Sequence, residues 1–368
     1  MVSGEPAPGG RAFVTRFVPG YLGPLVDFYR DSWDPTATPE RVAKGRADDA
    51  SHNLVAAGED FPTYLFVQQD RILGHLTTIP VRLRAGDTDR PAYWLIGFMV
   101  RPEYRNGPLG FLLLKRAVAE LELTLSLTVQ QATVRLLTAV GFREIGVLPN
   151  YVRLIQPHRV LAKLDLDALG LTGLPGPVRA MVRLTRLRAA SVVVGLAARA
   201  ALCAWTTLNG RPGGGLVGRS SIEMPDASLD SLWYSCRDVL GCAGVRDAAY
   251  LKWRYDTSST GAYRTVEVTE ATVLRGIAVV RVPRVEGDPR LRGIRVATLS
   301  DLVYDPTRTR VGLALLAEAE RVARLLDADV LLVSASHRAH GAVLRRRGFV
   351  RWRSIFGPPG PGRRSLRS

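Results

Sequence analysis

AYWLIGFMVRPEYRNGPLGFLLLKRAVAE, Ala92 to Glu120, passes from a bulky apolar segment through an arginine- and glycine-bearing loop straight into a helical pattern. Trp94 to Val100 read as a buried strand, and Arg101 to Gly107 supply the charge and turn residues that end it. Pro108 suits the first turn of the next helix, because its φ is already helical and the N–H it lacks would have no intrahelical partner. Free N–H groups and the positive dipole end gather at such a helix start, so the loop is a place for an anion, and a phosphate fits.

The elements on either side are legible from periodicity and turn chemistry. Arg11 to Val18 alternates as a strand does, and Leu22 to Trp33 and Thr38 to Val55 read as helices, the second with Thr38 as N-cap and Pro39 behind it. Tyr64 to Gln69 and Arg71 to Arg84 are strands joined by a tight turn at Gln69-Asp70-Arg71. After the quoted stretch come a strand, Leu121 to Val129, a helix, Gln131 to Val140, closed by Gly141-Phe142, and a last strand reaching Leu154.

From Arg219 this order recurs. Ser220 to Met224 reads as a strand, Asp226 to Val239 and Arg246 to Tyr255 as helices, and Tyr263 to Thr269, Val273 to Arg284 and Ile294 to Tyr304 as strands. A helix from Thr309 to Leu326, a strand from Val330 to Ala335 and a helix from Arg338 that ends on Gly348-Phe349 follow. Pro102 falls on Pro306 and Gly141-Phe142 on Gly348-Phe349, shifts of 204 and 207 residues, so the chain holds a duplicated domain.

In both halves the strand-loop-helix resembles motif A of the GCN5-related N-acetyltransferases (GNATs), whose Arg/Gln-x-x-Gly-x-Gly/Ala loop holds the pyrophosphate of acetyl-coenzyme A. Arg105 and Gly110 match its outer positions, while Pro108 replaces the middle glycine and Gly107 lies one residue early. The second half has the Gly312-x-Ala314 ending and lacks the leading arginine, with Arg308 and Arg310 on either side of that position. The resemblance implies an α/β fold with mixed sheets, as two GNAT-like domains over 1–155 and 219–356, a basic helical connector over 156–218 and a disordered tail over 357–368. It further implies an N-acyltransferase using acetyl-CoA or another acyl-CoA, with a small-molecule or envelope-precursor amine as acceptor. The coenzyme would be bound by Met99, Val100, Arg105, Asn106, Gly107, Leu109 and Gly110, and in the second copy by Arg310, Gly312 and Ala314. Aminoacyl-tRNA-dependent transfer, as in the FemABX group, and a non-catalytic binding role stand as alternatives.

The family often carries an acid just before the loop and a tyrosine on the helix that ends in Gly-Phe. Those places hold Gly97 and Leu137 in the first copy, and Asp301 and Leu344 in the second. Asp301 is thus the carboxylate to consider as base, or else a strand-end group answering nearby arginines. His337 and His340 open the last helix, and His337 reads either as a base near neutral pH or as part of a solvated helix start.

Composition sets the remaining bounds. A chain of 368 residues, 46% hydrophobic, suits two ordinary domains. Its 50 Lys+Arg against 34 Asp+Glu give +16, which favours anionic partners, although an arginine-rich genome would leave the same mark. About half of that charge lies near the connector, which offers a surface to an anionic partner; stable DNA binding is not expected. Cys203, Cys236 and Cys242 have no metal-ligand spacing, so neither a disulfide framework nor a metal site is expected. The N-terminus has no signal-peptide pattern, so the expectation is a cytoplasmic protein, with the inner membrane surface as a possible station. Within the connector, Ser191 to Trp205 is apolar and interrupted by Arg199; it reads as too short to cross a bilayer and as packed between domains, with an amphipathic surface helix as the alternative.

Overall fold

The structure is a computed structural model that describes residues 12–51, 53–56, 58–127, 130–163, 188–225, 228–256, 262–285 and 293–352. The disordered tail and most of the connector's first half, as read from sequence, lie outside these residues. The chain divides into two units, one of Met1–Ile145 with Cys242–Val245 and one of Gly146–Gly241 with Arg246–Ser368.

In the first unit β1 (Phe13–Arg16), β2 (Thr63–Gln68), β3 (Arg71–Ala85), β4 (Thr88–Val100) and β5 (Thr124–Leu125) lie in that order. All neighbours are antiparallel except β4 and β5. Gln69 and Asp70 both take positive φ, 49° and 60°, as a two-residue hairpin turn between β2 and β3 requires. Strand β2 is buried on both faces: Tyr64 and Phe66 join a core with α3 (Leu109–Glu120), while Leu65 and Val67 join one with α1 (Leu22–Ser32). The helix α2 (Pro39–Ser51) starts as its sequence demands, with the Arg41 N–H donating to the Thr38 hydroxyl at 3.3 Å. A fourth helix, α4, covers Gln131–Ala139.

The second unit's sheet runs β13-β6-β12-β11-β10-β9-β7. Its strands are β6 (Asn150–Leu154), β7 (Leu216–Ser221), β9 (Tyr263–Glu270), β10 (Val273–Val285), β11 (Arg295–Tyr304), β12 (Val330–Ser334) and β13 (Val350–Trp352). The helices are α5 (Pro157–Lys163), α6 (Arg188–Asn209), α7 (Leu229–Leu240), α8 (Ala248–Leu251, continued by a π-helical turn), α9 (Thr309–Leu325) and α10 (Arg338–Arg346). A short strand, β8 (Cys242–Gly244), pairs with the far end of β3 in the first unit, an element that sequence periodicity does not reveal.

Two sequence expectations are corrected. The last strand of the first repeat is not in the first sheet: β6 lies between β12 and β13, so the division comes at residue 146 rather than 155. Without that neighbour β5 is an edge strand, and of the strand expected over Leu121 to Val129 it covers only Thr124–Leu125 among the described residues, with Leu127 left exposed. The exchanged strand is held by charge as well as by its ladder, since buried Arg153 on β6 pairs with buried Glu320 on α9 at 3.6 Å, and Arg347 pairs with the same carboxylate at 2.8 Å.

The duplication is visible in details of geometry. Both helices before the Gly-Phe pairs end alike: Gly141 and Gly348 take φ of 99° and 74°, and the Phe142 and Phe349 N–H groups reach back to the Leu137 and Leu344 carbonyls, each at 3.0 Å. Gly74 stands opposite Val100 and Gly276 opposite Tyr304, each where the helix after the loop crosses the sheet. A Cβ on either would come within 2.8 Å of a leucine methyl on that helix, Leu113 or Leu315.

Candidate functional site

In both units the strand before the loop carries a bulge and then parts from its parallel neighbour. In the first, β3 and β4 shift register between His75 and Thr77, which sets Gly97 and Phe98 against Leu76. Gly97 has φ of 56°, and β4 pairs with β5 only at Tyr93 and Trp94, so its outer edge from Leu95 to Val100 diverges from that strand. In the second, β10 and β11 shift register around Ser300, and β11 pairs with β12 only from Val296 to Leu299.

The first unit's loop is open at its helix start. Pro102–Tyr104 forms a short 3-10 turn, and the Gly107 N–H donates to the Tyr104 carbonyl at 3.0 Å. A Cβ on Gly107 would lie 3.3 Å from that carbonyl oxygen, which explains a glycine one position early: it closes the turn. Residues Arg105, Asn106, Gly107 and Pro108 are exposed, and no side chain caps the first turn of α3. The Arg105 Nε donates to the Val100 carbonyl at 3.2 Å, so a fixed guanidinium stands beside free helix N–H groups. The other residues that the resemblance assigns to the coenzyme behave differently. Leu109 is in the core, Met99 packs beside α1, and Gly110 is small because a Cβ there would meet the Phe98 ring at 3.1 Å. Any contact from these three to a ligand would be through backbone. Arg101, read from sequence as part of the loop's charge, is buried instead; it donates to the Ile72 carbonyl at 2.8 Å and to Asp31 at 2.7 Å, and so ties α1 to the sheet.

Beside the Gly97 bulge stands a group that sequence reasoning missed. A Cβ at Gly97 would be 3.2 Å from the His75 Cε1, so the imidazole fills the room that the family's acidic side chain would take. His75 is fully buried; its Nδ1–H donates to the Gly97 carbonyl at 2.8 Å, which leaves Nε2 to accept from the Tyr29 hydroxyl at 3.1 Å. Burial lowers the imidazole to about 4, and it also raises the Tyr29 hydroxyl. Trp33 lies 4.4 Å from the Tyr29 ring and 5.7 Å from His75, completing an aromatic wall. Counting back from the turn at Gly86-Asp87 would set Leu76 against Gly97; the bulge, which the sequence does not announce, brings His75 beside the glycine at the acid's place.

The second unit fills the same frame differently. Its helix begins at Thr309, four residues earlier than α3 in the aligned sequence, and a Cβ on Gly312 would lie 2.5 Å from the Tyr304 Cζ and hydroxyl. The room cleared by that glycine is therefore occupied by a tyrosine ring. Arg310 lays its stem over Gly213, where a Cβ would be 2.6 Å from Cδ, and Ala314 is in the core. Asp301 accepts from the Arg246 Nε at 2.8 Å and from the Tyr255 hydroxyl at 2.7 Å. With both oxygens engaged, it matches a strand-end carboxylate answering an arginine better than a base. His337 is half-buried at the start of α10, its ring 5.2 Å from that of buried His340, which in turn lies 4.8 Å from Tyr304. The Tyr304 hydroxyl, His337 Nδ1 and His340 Nε2 are buried without hydrogen-bond partners, and burial, then the neighbouring His337, lowers His340 to about 4. Among the described residues no cluster of three His, Cys, Asp or Glu could hold a metal ion.

Solved structures share this fold. A GCN5-related N-acetyltransferase from Anabaena variabilis aligns over 91% of this chain and 68% of its own, with 11% identity and a TM-score of 0.55. The chain has the GNAT fold in tandem. The N-myristoyltransferase of Saccharomyces cerevisiae, solved with bound myristoyl-CoA, aligns over 97% of this chain and 83% of its own (11% identity, TM-score 0.54). For a GCN5-related N-acetyltransferase from Kribbella flavida the values are 91% and 66% (13%, 0.52), so the chain spans just under two thirds of that GNAT protein. No protein-family model and no curated protein matches the sequence.

Proposed function

We propose that this chain is an N-acyltransferase that moves an acyl group from an acyl-coenzyme A, acetyl-CoA or a longer thioester, to an amine of a small molecule or a cell-envelope precursor, and that the first unit is the copy that reacts. The observation that carries this reading is the uncapped start of α3 with Arg105 fixed beside it, following the strand whose bulge adjoins buried His75 and its partly buried partner Tyr29. The pyrophosphate would sit on the helix N–H groups and Arg105, and the thioester along the free edge of β4. The amine nitrogen attacks the thioester carbonyl and the C–S bond breaks. The amine donates its N–H to the Tyr29 oxygen, which the neutral Nε2 of His75 holds in place by accepting the Tyr29 hydroxyl proton in a hydrogen bond. The proton then leaves to water, and the thiolate takes its proton from water, because buried Leu137 stands at the family's tyrosine position. Solved relatives of the fold include an enzyme with an acyl-CoA bound, which supports the donor class.

The test is turnover by the purified full chain with acetyl-CoA and longer acyl-CoAs against a panel of amines, read as free thiol released. Tyr29→Phe should lower kcat at least tenfold with little change in coenzyme affinity. Coenzyme binding with no turnover on any amine would leave a binding protein, and salt-sensitive retention of aminoacyl-tRNA without coenzyme binding would move the reading to the tRNA-dependent group.

A further inference from the structure

The helix α6, Arg188–Asn209, packs on the second unit along one stripe only. Ser191, Val194, Gly195, Ala198, Leu202 and Thr206 recur at helical spacing as its inward side. Its approach to α5 is close: a Cβ on Gly195 would fall 2.5 Å from the His158 backbone. Its far end is tied down by the Trp205 indole N–H donating to the Arg345 carbonyl at 3.1 Å and by Arg347 donating to the Gly210 carbonyl at 2.9 Å. The opposite face is exposed and almost wholly apolar. Val193 is 67% and Leu196 56% exposed, and Ala197, Ala200, Cys203 and Ala204 lie open beside them, with Leu208 beyond at 83%.

The helix continues past Trp205, so Ser191–Asn209 is by length and composition long enough to cross a membrane, which corrects the expectation drawn from the shorter apolar run. Two facts favour a bilayer surface over a crossing. The inward stripe is already used by α5 and α10, and at 100° per residue Arg199 falls on the flank between the two faces, where its guanidinium can reach headgroups while the apolar face stays free of charge. Charge names the kind of surface: residues 168 to 222 contain seven arginines and no acid, in a chain of net charge +16.

We propose that the exposed face of α6 docks on an anionic phospholipid bilayer, lying in the headgroup plane with Val193, Leu196 and Leu208 dipping into the acyl boundary. Apolar insertion and arginine attraction then act together, and neither alone suffices. Such docking would hold the second unit at the membrane regardless of what the first unit does.

The test is co-flotation of the purified full chain with vesicles of phosphatidylcholine alone or with one third phosphatidylglycerol. Binding should be at least tenfold stronger to the anionic vesicles, should weaken in high salt, and should fall at least tenfold in Val193→Glu/Leu196→Glu, whose exposed positions leave the thermal melt unchanged. Equal partition to both vesicle types, or undiminished binding by the double variant, would overturn the proposal. So would a dimer, detected by light scattering, that the double variant dissociates while vesicles bind neither form, since the face would then join two copies. Resistance to carbonate extraction from membranes of expressing cells would show a spanning helix and equally overturn it.

Discussion

The two units are the same frame put to different uses. Each has the bulged strand, the parting of that strand from its parallel neighbour, the glycine under the crossing helix and the Gly-Phe closure. In the first, the space at the bulge holds a hydrogen-bonded imidazole and the helix start faces solvent. In the second, the motif glycine shelters a tyrosine ring, the acid at the bulge is held by an arginine and another tyrosine, and the sheet has gained the strand that the first unit gave up. Duplication keeps the backbone where packing demands it, and the chemistry-bearing positions then diverge, because they are few and their loss does not unfold the domain.

The largest expected effect lies where the second unit gained its strand. Glu320 neutralises the buried Arg153 and the partly buried Arg347, and Glu320→Ala leaves both charges without that carboxylate. Breaking such a group from one side costs roughly 3–5 kcal/mol, so the denaturant midpoint should fall steeply. The first unit's Glu120, half-buried beside the exposed Arg16 and Arg116, is the control: its arginines stay in water without it, and its loss should cost under about 1 kcal/mol. Similar losses from both would mean that the exchanged strand is not held by buried charge.

Next in size is the dependence on pH. His75 and His340, one in each unit, are both lowered from 6.5 to about 4 by burial. Above pH 6.5 neither state of the protein protonates them. Between 6.5 and 4 the unfolded chain binds protons that the native chain refuses, so stability falls as pH falls, by about 3 kcal/mol per histidine, and levels off below 4. Titration of unfolding free energy should show this slope. His75→Leu and His340→Leu should each remove part of it, but the first also breaks hydrogen bonds to Gly97 and Tyr29, whereas the Nε2 lost with His340 has no partner. Equal destabilisation at neutral pH would erase the distinction between a satisfied and an unsatisfied histidine.

The coenzyme is expected to choose between the copies at the loops. Arg105→Ala should weaken coenzyme A binding by roughly 1.5–3 kcal/mol, the range for hydrogen bonds to charged groups, and Arg310→Ala should leave it unchanged by calorimetry. The reverse result would transfer the donor site to the second unit.

Much of the frame was legible in the sequence, for identifiable reasons. The Gln69-Asp70 turn, the Thr38 cap and both Gly-Phe closures are set by local backbone chemistry, and the repeat follows from matching motifs at nearly constant offset. The exchange of β6 was not legible, because a strand's pattern states how it is buried and not in which sheet. Nor was the fate of Arg101 or of Asp301, since an arginine at a loop and a carboxylate at a strand end read alike whether they face a ligand or each other's kind in the core. His75 was missed because its meaning comes from register: it matters through the glycine across the ladder.

The smallest effect is also the sharpest comparison. Alanine at a helical glycine gains up to about 1 kcal/mol of propensity, set against whatever the added methyl strikes. At Gly110 it strikes the rim of the Phe98 ring at 3.1 Å, and Phe98 is only partly buried and can yield, so Gly110→Ala should be near neutral. At Gly312 it strikes the Tyr304 ring and hydroxyl at 2.5 Å, and that ring is fully buried with His340 stacked on it. Overpacking of this kind costs typically 1–3 kcal/mol, so Gly312→Ala should lower the melting temperature where Gly110→Ala does not. Tyr304→Leu in the same chain should return part of the loss, because the clash is with the ring's outer atoms. If Gly312→Ala proves as mild as Gly110→Ala, Tyr304 is free to leave the motif, and the second unit's loop is then as open to a ligand as the first.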